Sequence, residues 1–281
     1  MCIKLAFLFI NKVITLILSD VLGDPLDIIA CGPTVPDMST KSDCLQVIEK
    51  LGAYHDIPSN ILKHLDVARD VPKETTKYSH VQNVVIGNNK IAVDAGVCMA
   101  EKLGYHVVIH STNVCGEARD VGRFYASLGA PFNEANNSTE ELSDIASKLR
   151  SVTNKPFCIL GAGETTVSVK GSGQGGRNQE LALAAALEMS KHQSTERNVL
   201  LLSAGTDGQD GPTPAAGACA FPQLVSMAAS QGVNALEFLN NNDSFTFYNE
   251  LDKGQYLVKT GLTGTNVMDL QILLSSSALT D

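Results

Sequence analysis

The chain has 281 residues, a formal net charge of −9, 44% hydrophobic residues and 18% charged residues. That length suits one large or two ordinary domains with real cores, and the composition excludes a disordered chain. The acidic balance excludes non-specific nucleic-acid binding, which needs a basic face, so an anionic ligand must be drawn in by local groups against the overall field. The seven cysteines are scattered and never form a CxxC pair, which fits a reducing compartment. The six histidines show no zinc-ligand spacing. His106 and His110 lie in a strand-like run, where an even spacing only places them on one face.

At the N-terminus, Leu5–Ile10 and Val13–Leu18 are both apolar. Neither run can span a bilayer, Lys12 interrupts them, and no small-residue cleavage site follows. The second run ends in Ser19-Asp20, as a buried strand ends at a ligand crevice, so a core strand is expected at 13–18. The first ten residues are an odd start without a clear partner.

From there short apolar runs alternate with helical stretches, the signature of an α/β architecture. Strands are expected at 13–18, 83–86, 105–110, 157–160, 165–169 and 199–203. Helices are expected at 40–52, 58–66, 89–103, 117–128, 138–150, 178–191, 221–231 and 265–274. Asn88 or Asn89 can cap the helix that follows, Ser138-Thr139-Glu140-Glu141 reads as a capping box, and Gly104 fits a helix stop. The polar stretch Pro72–Lys77 divides the chain into an expected domain 1–77 and a second, 78–281, while 131–139 reads as a surface excursion.

The chemistry concentrates in loops. Gly171-Ser172-Gly173-Gln174-Gly175-Gly176-Arg177 runs into an alanine-leucine helix. Bare amides at a helix start favour an anion, and Arg177 adds a fork of donors suited to carboxylate or phosphate. The competing reading is a flexible loop with a cap at Asn178, and no Gly-Lys-Ser/Thr follows to make a P-loop. Asp20 can bind magnesium, orient a substrate hydroxyl or take its proton, or else join Asp24 and Asp27 in turn-forming bonds. Gly161-Ala162-Gly163-Glu164 lacks the third glycine and the helix of a dinucleotide fingerprint, though Glu164 can still contact a sugar hydroxyl or metal. In Gly205-Thr206-Asp207-Gly208-Gln209-Asp210, the two aspartates can share a hard cation or simply make two successive turns. Thr265 and Asn266, after Gly264, offer a second nest of amides. These loops mostly follow strands, and in a parallel sheet they converge on one edge.

Read in order, Ser19–Thr34, Gly161–Thr166, Gly175–Leu181, Gly205–Thr213, Asn242–Ser244 and Gly264–Leu270 resemble the class II glycerate kinase family, whose C-terminal part is the MOFRL domain. The matching strings run from about residue 12 to about residue 274. The resemblance implies two α/β domains, here a C-terminal MOFRL-type domain plus the remnant of a Rossmann-like N-terminal domain, with an active site in the cleft between them. It implies transfer of the γ-phosphoryl group of ATP to a hydroxyl of D-glycerate, with Mg2+. Asp20 and Arg177 are then the catalytic pair. Gly173, Gly175, Gly176, Gly205, Thr206, Asp207, Thr265 and Asn266 are expected to bind the nucleotide, and Asp207 and Asp210 the metal.

The departures carry expectations of their own. The family's larger N-terminal part, with a glycine-rich segment and a lysine that acts on phosphate, is almost absent, so the chain reads as an N-terminally truncated product. Cys31, Pro214 and Leu262 stand where the family favours serine, aspartate and proline. Pro214 removes one carboxylate near the expected metal loop, which weakens Asp210 as a ligand. The alternatives to a kinase are a non-catalytic truncated isoform and a hydroxypyruvate reductase-like oxidoreductase, for which the dinucleotide fingerprint is missing. The expected partner is a small molecule rather than nucleic acid or membrane, and self-association stays open. Cytosol is the expected compartment, with mitochondria as the alternative.

Overall fold

The computed structural model describes residues 12–67, 78–129, 140–150, 155–191 and 197–277. The odd start, the polar stretch Pro72–Lys77, the loop 131–139 and the Ser138-Thr139 end of the expected capping box lie outside the described residues. The chain divides into two compact units, Met1–Ile17 with Pro25–Val84 and Leu18–Asp24 with Val85–Asp281. Strands β1 (Val13–Leu18) and β2 (Val81–Gly87) form a two-stranded sheet. They run in the same direction, since Val13 N donates to His80 O and Ser19 N donates to Gly87 O.

The first unit also holds α1 (Lys41–Lys50) and α2 (Ser59–Val67). Helix α1 opens on a reciprocal capping box between Thr40 and Asp43, which satisfies two orphan donors of its first turn. Apart from Ile17, none of this unit's described apolar side chains is buried, and Leu51 and Val67 stand 74% and 76% exposed.

The second unit follows in the order α3 (Asn89–Lys102), β3 (His106–Val114), α4 (Ala118–Gly129), α5 (Glu140–Arg150), β4 (Phe157–Gly163) and α6 (Arg177–Met189). It continues with β5 (Arg197–Gly205), β6 (Gly217–Ala220), α7 (Leu224–Ser230), α8 (Ala235–Asn240), α9 (Ser244–Glu250), β7 (Leu257–Val258) and β8 (Asp269–Ser277). The strands form one six-stranded sheet in the order β3-β4-β8-β5-β6-β7. Alternate residues of a strand face opposite sides; one side here is covered by α4 and α6, and the other in part by α3, with Ile109 and Leu200 left exposed. Phe157 and Ile159 of β4, with Leu201 and Leu273, pack under α4 and α6; Cys158, Leu160 and Ala162 pack with Val93 and Ala100 of α3. Helix α6 is buried all along Asn178–Ala186, and Gly122 of α4 lets the two helices approach closely: a Cβ there would come within 2.3 Å of Leu181 O. Asn88 caps α3 by accepting from Ile91 N, and Gly104 takes the left-handed conformation (φ 88°) that ends it.

Three expectations change. Residues 265–274 are not a helix, because Asp269–Ser277 is the strand at the centre of the sheet, antiparallel to both β4 and β5. Leu270, Ile272 and Leu274 alternate along one face of this strand, with Leu273 among buried polar residues on the other, and Val267, Leu270 and Leu274 by themselves mimic a helical stripe. Residues 165–169 make only an isolated bridge, Glu117 with Thr166. The sheet is mixed rather than parallel: only β3 and β4 pair in parallel. Nevertheless β3, β4 and β5 point the same way, because β4 and β5 each oppose β8. Their C-terminal ends and the start of β8 therefore share one edge.

Candidate active site

That edge is fixed by register. Asp269 lies opposite Gly163 at the end of β4 and opposite Gly205 at the end of β5. The loops after β4 and β5 and the loop before β8 thus meet around one buried carboxylate. Arg177, the first residue of α6, reaches it. Its Nε donates to Asp269 Oδ2 at 2.5 Å and its Nη2 to Asp269 Oδ1 at 2.9 Å, a bidentate fork. On the other side, Nη1 lies 2.8 Å from Glu164 Oε1. The two acids differ in setting: the Asp269 side chain is 1% exposed, Glu164 is 43% exposed, and Arg177 is 33% exposed. The bond to Asp269 chiefly, opposed by burial and helped by the charges of Asp269, Glu164 and Asp210, raises the Arg177 pKa and keeps it cationic. Three of its five N–H groups are engaged by these acids, which leaves two for a ligand.

Asp20, exposed just beyond β1, has Oδ2 3.4 Å from Asn266 Nδ2. Asn266 Oδ1 in turn accepts from Met268 N, next to Asp269. Asp20 and Arg177 are therefore tethered to the two ends of one four-residue segment, 266–269. Asp24 is occupied elsewhere: its Oδ2 accepts from Asn88 Nδ2, at the cap of α3.

The glycine-rich loop, the expected phosphate cradle, is bonded along its backbone to residues 241–243. Lys170 N and Gly171 N donate to Asn242 Oδ1, Ser172 N to Asn241 Oδ1, Gly173 N to Asn241 O, and Gln174 N to Asp243 Oδ1. A Cβ at Gly173 would come within 2.2 Å of Asp243 Cβ, one at Gly175 within 2.3 Å of Ser244 Oγ, and one at Gly176 within 2.3 Å of Asp210 Cγ. These glycines let the backbone lie flat against residues 241–244 and 210. Beneath them Asn242 Nδ2 donates to Glu180, which also pairs with Arg119 Nε at 2.6 Å, a buried brace that sequence reasoning misses.

Asp210 caps α6. Its Oδ1 accepts from Asn178 N at 3.1 Å, and its Oδ2 accepts from Gln179 N and Gln179 Nε2, each at 2.9 Å. Burial raises its pKa, while the donors from Gln179 and Asn178 pull it back. Both carboxylate oxygens of Asp210 are thus taken up by donors of α6. Asp207 is half-buried; Oδ1 accepts from Gln209 N, and Oδ2 has no partner among the described residues. Thr206 Oγ1 donates to Met268 O and accepts from Val267 N, which pins the segment before β8. At Gly205 a Cβ would stand 2.9 Å from Asp207 Oδ1 and 3.1 Å from Gln209 O, a tight fit. Thr265 and Asn266 are exposed on that segment.

Among the described residues no group of three or more His, Cys, Asp or Glu side chains could hold a metal ion by itself. No helix among the described residues is long and apolar enough to cross a membrane.

The MOFRL family profile matches residues 157–269, and that for a Domain of unknown function (DUF4147) matches residues 4–66. The chain is 40% identical to a glycerate kinase of Rattus norvegicus, over 94% of this chain and 54% of that one. It is 42% identical to a D-glycerate 2-kinase of Thermotoga maritima, over 94% of this chain and 57% of that one. The crystal structure of a Thermotoga maritima glycerate kinase superposes with a TM-score of 0.76 at 38% identity, covering 97% of this chain and 59% of that one. The chain thus spans little more than half the length of these relatives.

Proposed function

Because the chain belongs to the glycerate kinase family, being 40% identical to a Macaca fascicularis glycerate kinase over 72% of that protein, we propose that its site serves ATP-dependent phosphoryl transfer to a hydroxyl of D-glycerate. The observation that carries this reading is the fork of Arg177 on buried Asp269, with Asp20 tethered nearby through Asn266. Asp269 fixes the plane of the guanidinium before any ligand arrives, so little orientation is lost on binding. The N–H groups of Arg177 that Asp269 does not take hold the acid group of glycerate or oxygens of the moving phosphoryl group. Asp20, exposed and acceptor-only when ionised, orients the attacking hydroxyl and takes its proton as the new oxygen–phosphorus bond forms and the bond from the γ-phosphorus to the bridging oxygen breaks, with ADP leaving.

Magnesium, when bound with the nucleotide, neutralises phosphate charge; Asp207 is the residue we assign to it. We assign Thr265 and Asn266, rather than Gly173, Gly175 and Gly176, to nucleotide contact, because they lie exposed at the edge. Gly205 and Thr206 shape that edge from beneath. The free thiols of Cys31, Cys44, Cys98 and Cys115 support the cytosol as compartment.

A second reading is binding of D-glycerate without turnover at the same edge. An ATP- and D-glycerate-dependent assay for phosphoglycerate separates the two. Formation of product, lost in Arg177→Met, supports the kinase; binding without product supports the second reading. The oxidoreductase alternative finds no support at Gly161–Gly163, which lies within β4 rather than between a strand and a helix.

A further inference from the structure

Arg177 is held by two carboxylates of opposite character. Asp269 engages it through a bidentate fork and is 1% exposed; Glu164 engages it through one contact and is 43% exposed. A single contact between exposed partners contributes little and is readily exchanged, whereas a buried forked pair is not. Glu164 is also chemically the same group as the acid end of the substrate proposed above.

We propose that Glu164 is a placeholder for the ligand's carboxylate: D-glycerate binds by displacing it from Nη1 of Arg177. The inference rests on the reading of this edge as the glycerate site and adds the identity of the group that Arg177 receives. Its consequence is selectivity. A neutral polyol cannot replace a carboxylate on a guanidinium, so the Glu164–Arg177 contact stays closed to it. An entering carboxylate also leaves Glu164 beside a like charge, so the acid swings toward solvent, which its exposure permits.

The test is calorimetric titration of the whole chain with D-glycerate, and with glycerol as the neutral analogue, for the wild type, Glu164→Gln, Glu164→Ala and Arg177→Met. Removing a weak competitor should tighten D-glycerate binding by about two- to tenfold in both Glu164 variants, with no gain for glycerol. Arg177→Met should abolish D-glycerate binding. If Arg177→Met abolishes binding while both Glu164 variants bind D-glycerate as the wild type does, or more weakly, the placeholder is wrong and the site reading stands. If Arg177→Met binds like the wild type, or no variant binds D-glycerate, both fail.

Discussion

Arg177 and Asp269 stand 92 positions apart in the chain and meet through two parallel hydrogen bonds at the edge of the central sheet. Asp269 is buried there because β8 runs between β4 and β5, so its carboxylate is shut from bulk solvent and faces Arg177. Asp269→Asn should therefore lose about 2–3 kcal/mol of stability, below the figure for a wholly buried pair because Arg177 is partly exposed. Chemical denaturation measures that loss. D-glycerate binding should weaken as well, since the guanidinium loses its fixed plane.

Asp210 supplies the cap that α6 lacks within its own sequence. Asp210→Ala should cost about 2–3 kcal/mol, from the lost cap and the buried amides left without acceptors. Hydrogen exchange should speed up first at the amides of Asn178 and Gln179, whose acceptor is removed.

The glycine loop is a test of packing against anion binding. Gly173→Ala would place a Cβ 2.2 Å from Asp243 Cβ and should destabilise the chain by about 2–3 kcal/mol. Ser172→Ala, one position away on an exposed side chain, should change stability by no more than about 0.5 kcal/mol. Equal effects of the two in thermal unfolding would contradict the packing account.

How far the sequence alone reaches is clear from these same residues. The strand–loop alternation exposes the α/β class, and Arg177 is visible as the cation that opens α6. The partner of Arg177 is not, because Asp269 sits in an apolar run that fits a helical stripe as well as a strand. Pairing order is non-local: nothing near β8 in sequence says that it lies between β4 and β5. Likewise Gly171–Gly176 shows that side chains are excluded but not what excludes them. The bodies pressed against the loop are residues 210 and 241–244, well downstream. Asp210 looks like a ligand in sequence because a carboxylate in a glycine-rich loop carries the same signal whether it caps a helix or holds a metal.

Burial pushes the Cys158 thiol up to about 11, from an ordinary value of 9.0. At pH 8 Cys158 should resist alkylation while the exposed Cys98 and Cys115 react, as read by mass spectrometry of the labelled peptides. The sign follows: the fold accepts the neutral thiol, so the stability it lends is full below pH 9.0 and is lost as the pH rises toward about 11.

The unit formed by Met1–Ile17 and Pro25–Val84 buries little apolar surface, with Ile17 its one buried described apolar side chain. Limited proteolysis should cut within 25–84 first and leave a resistant fragment covering the sheet of the second unit. Early cleavage inside β4, β5 or β8 would contradict this.

The most direct measurement is the position of the ligand in crystals of the whole chain grown with D-glycerate. The carboxylate should lie about 3 Å from the guanidinium of Arg177, with Asp269 still paired and a hydroxyl turned toward Asp20. Glycerate bound elsewhere, with the Glu164–Arg177–Asp269 contacts unchanged, would contradict the account.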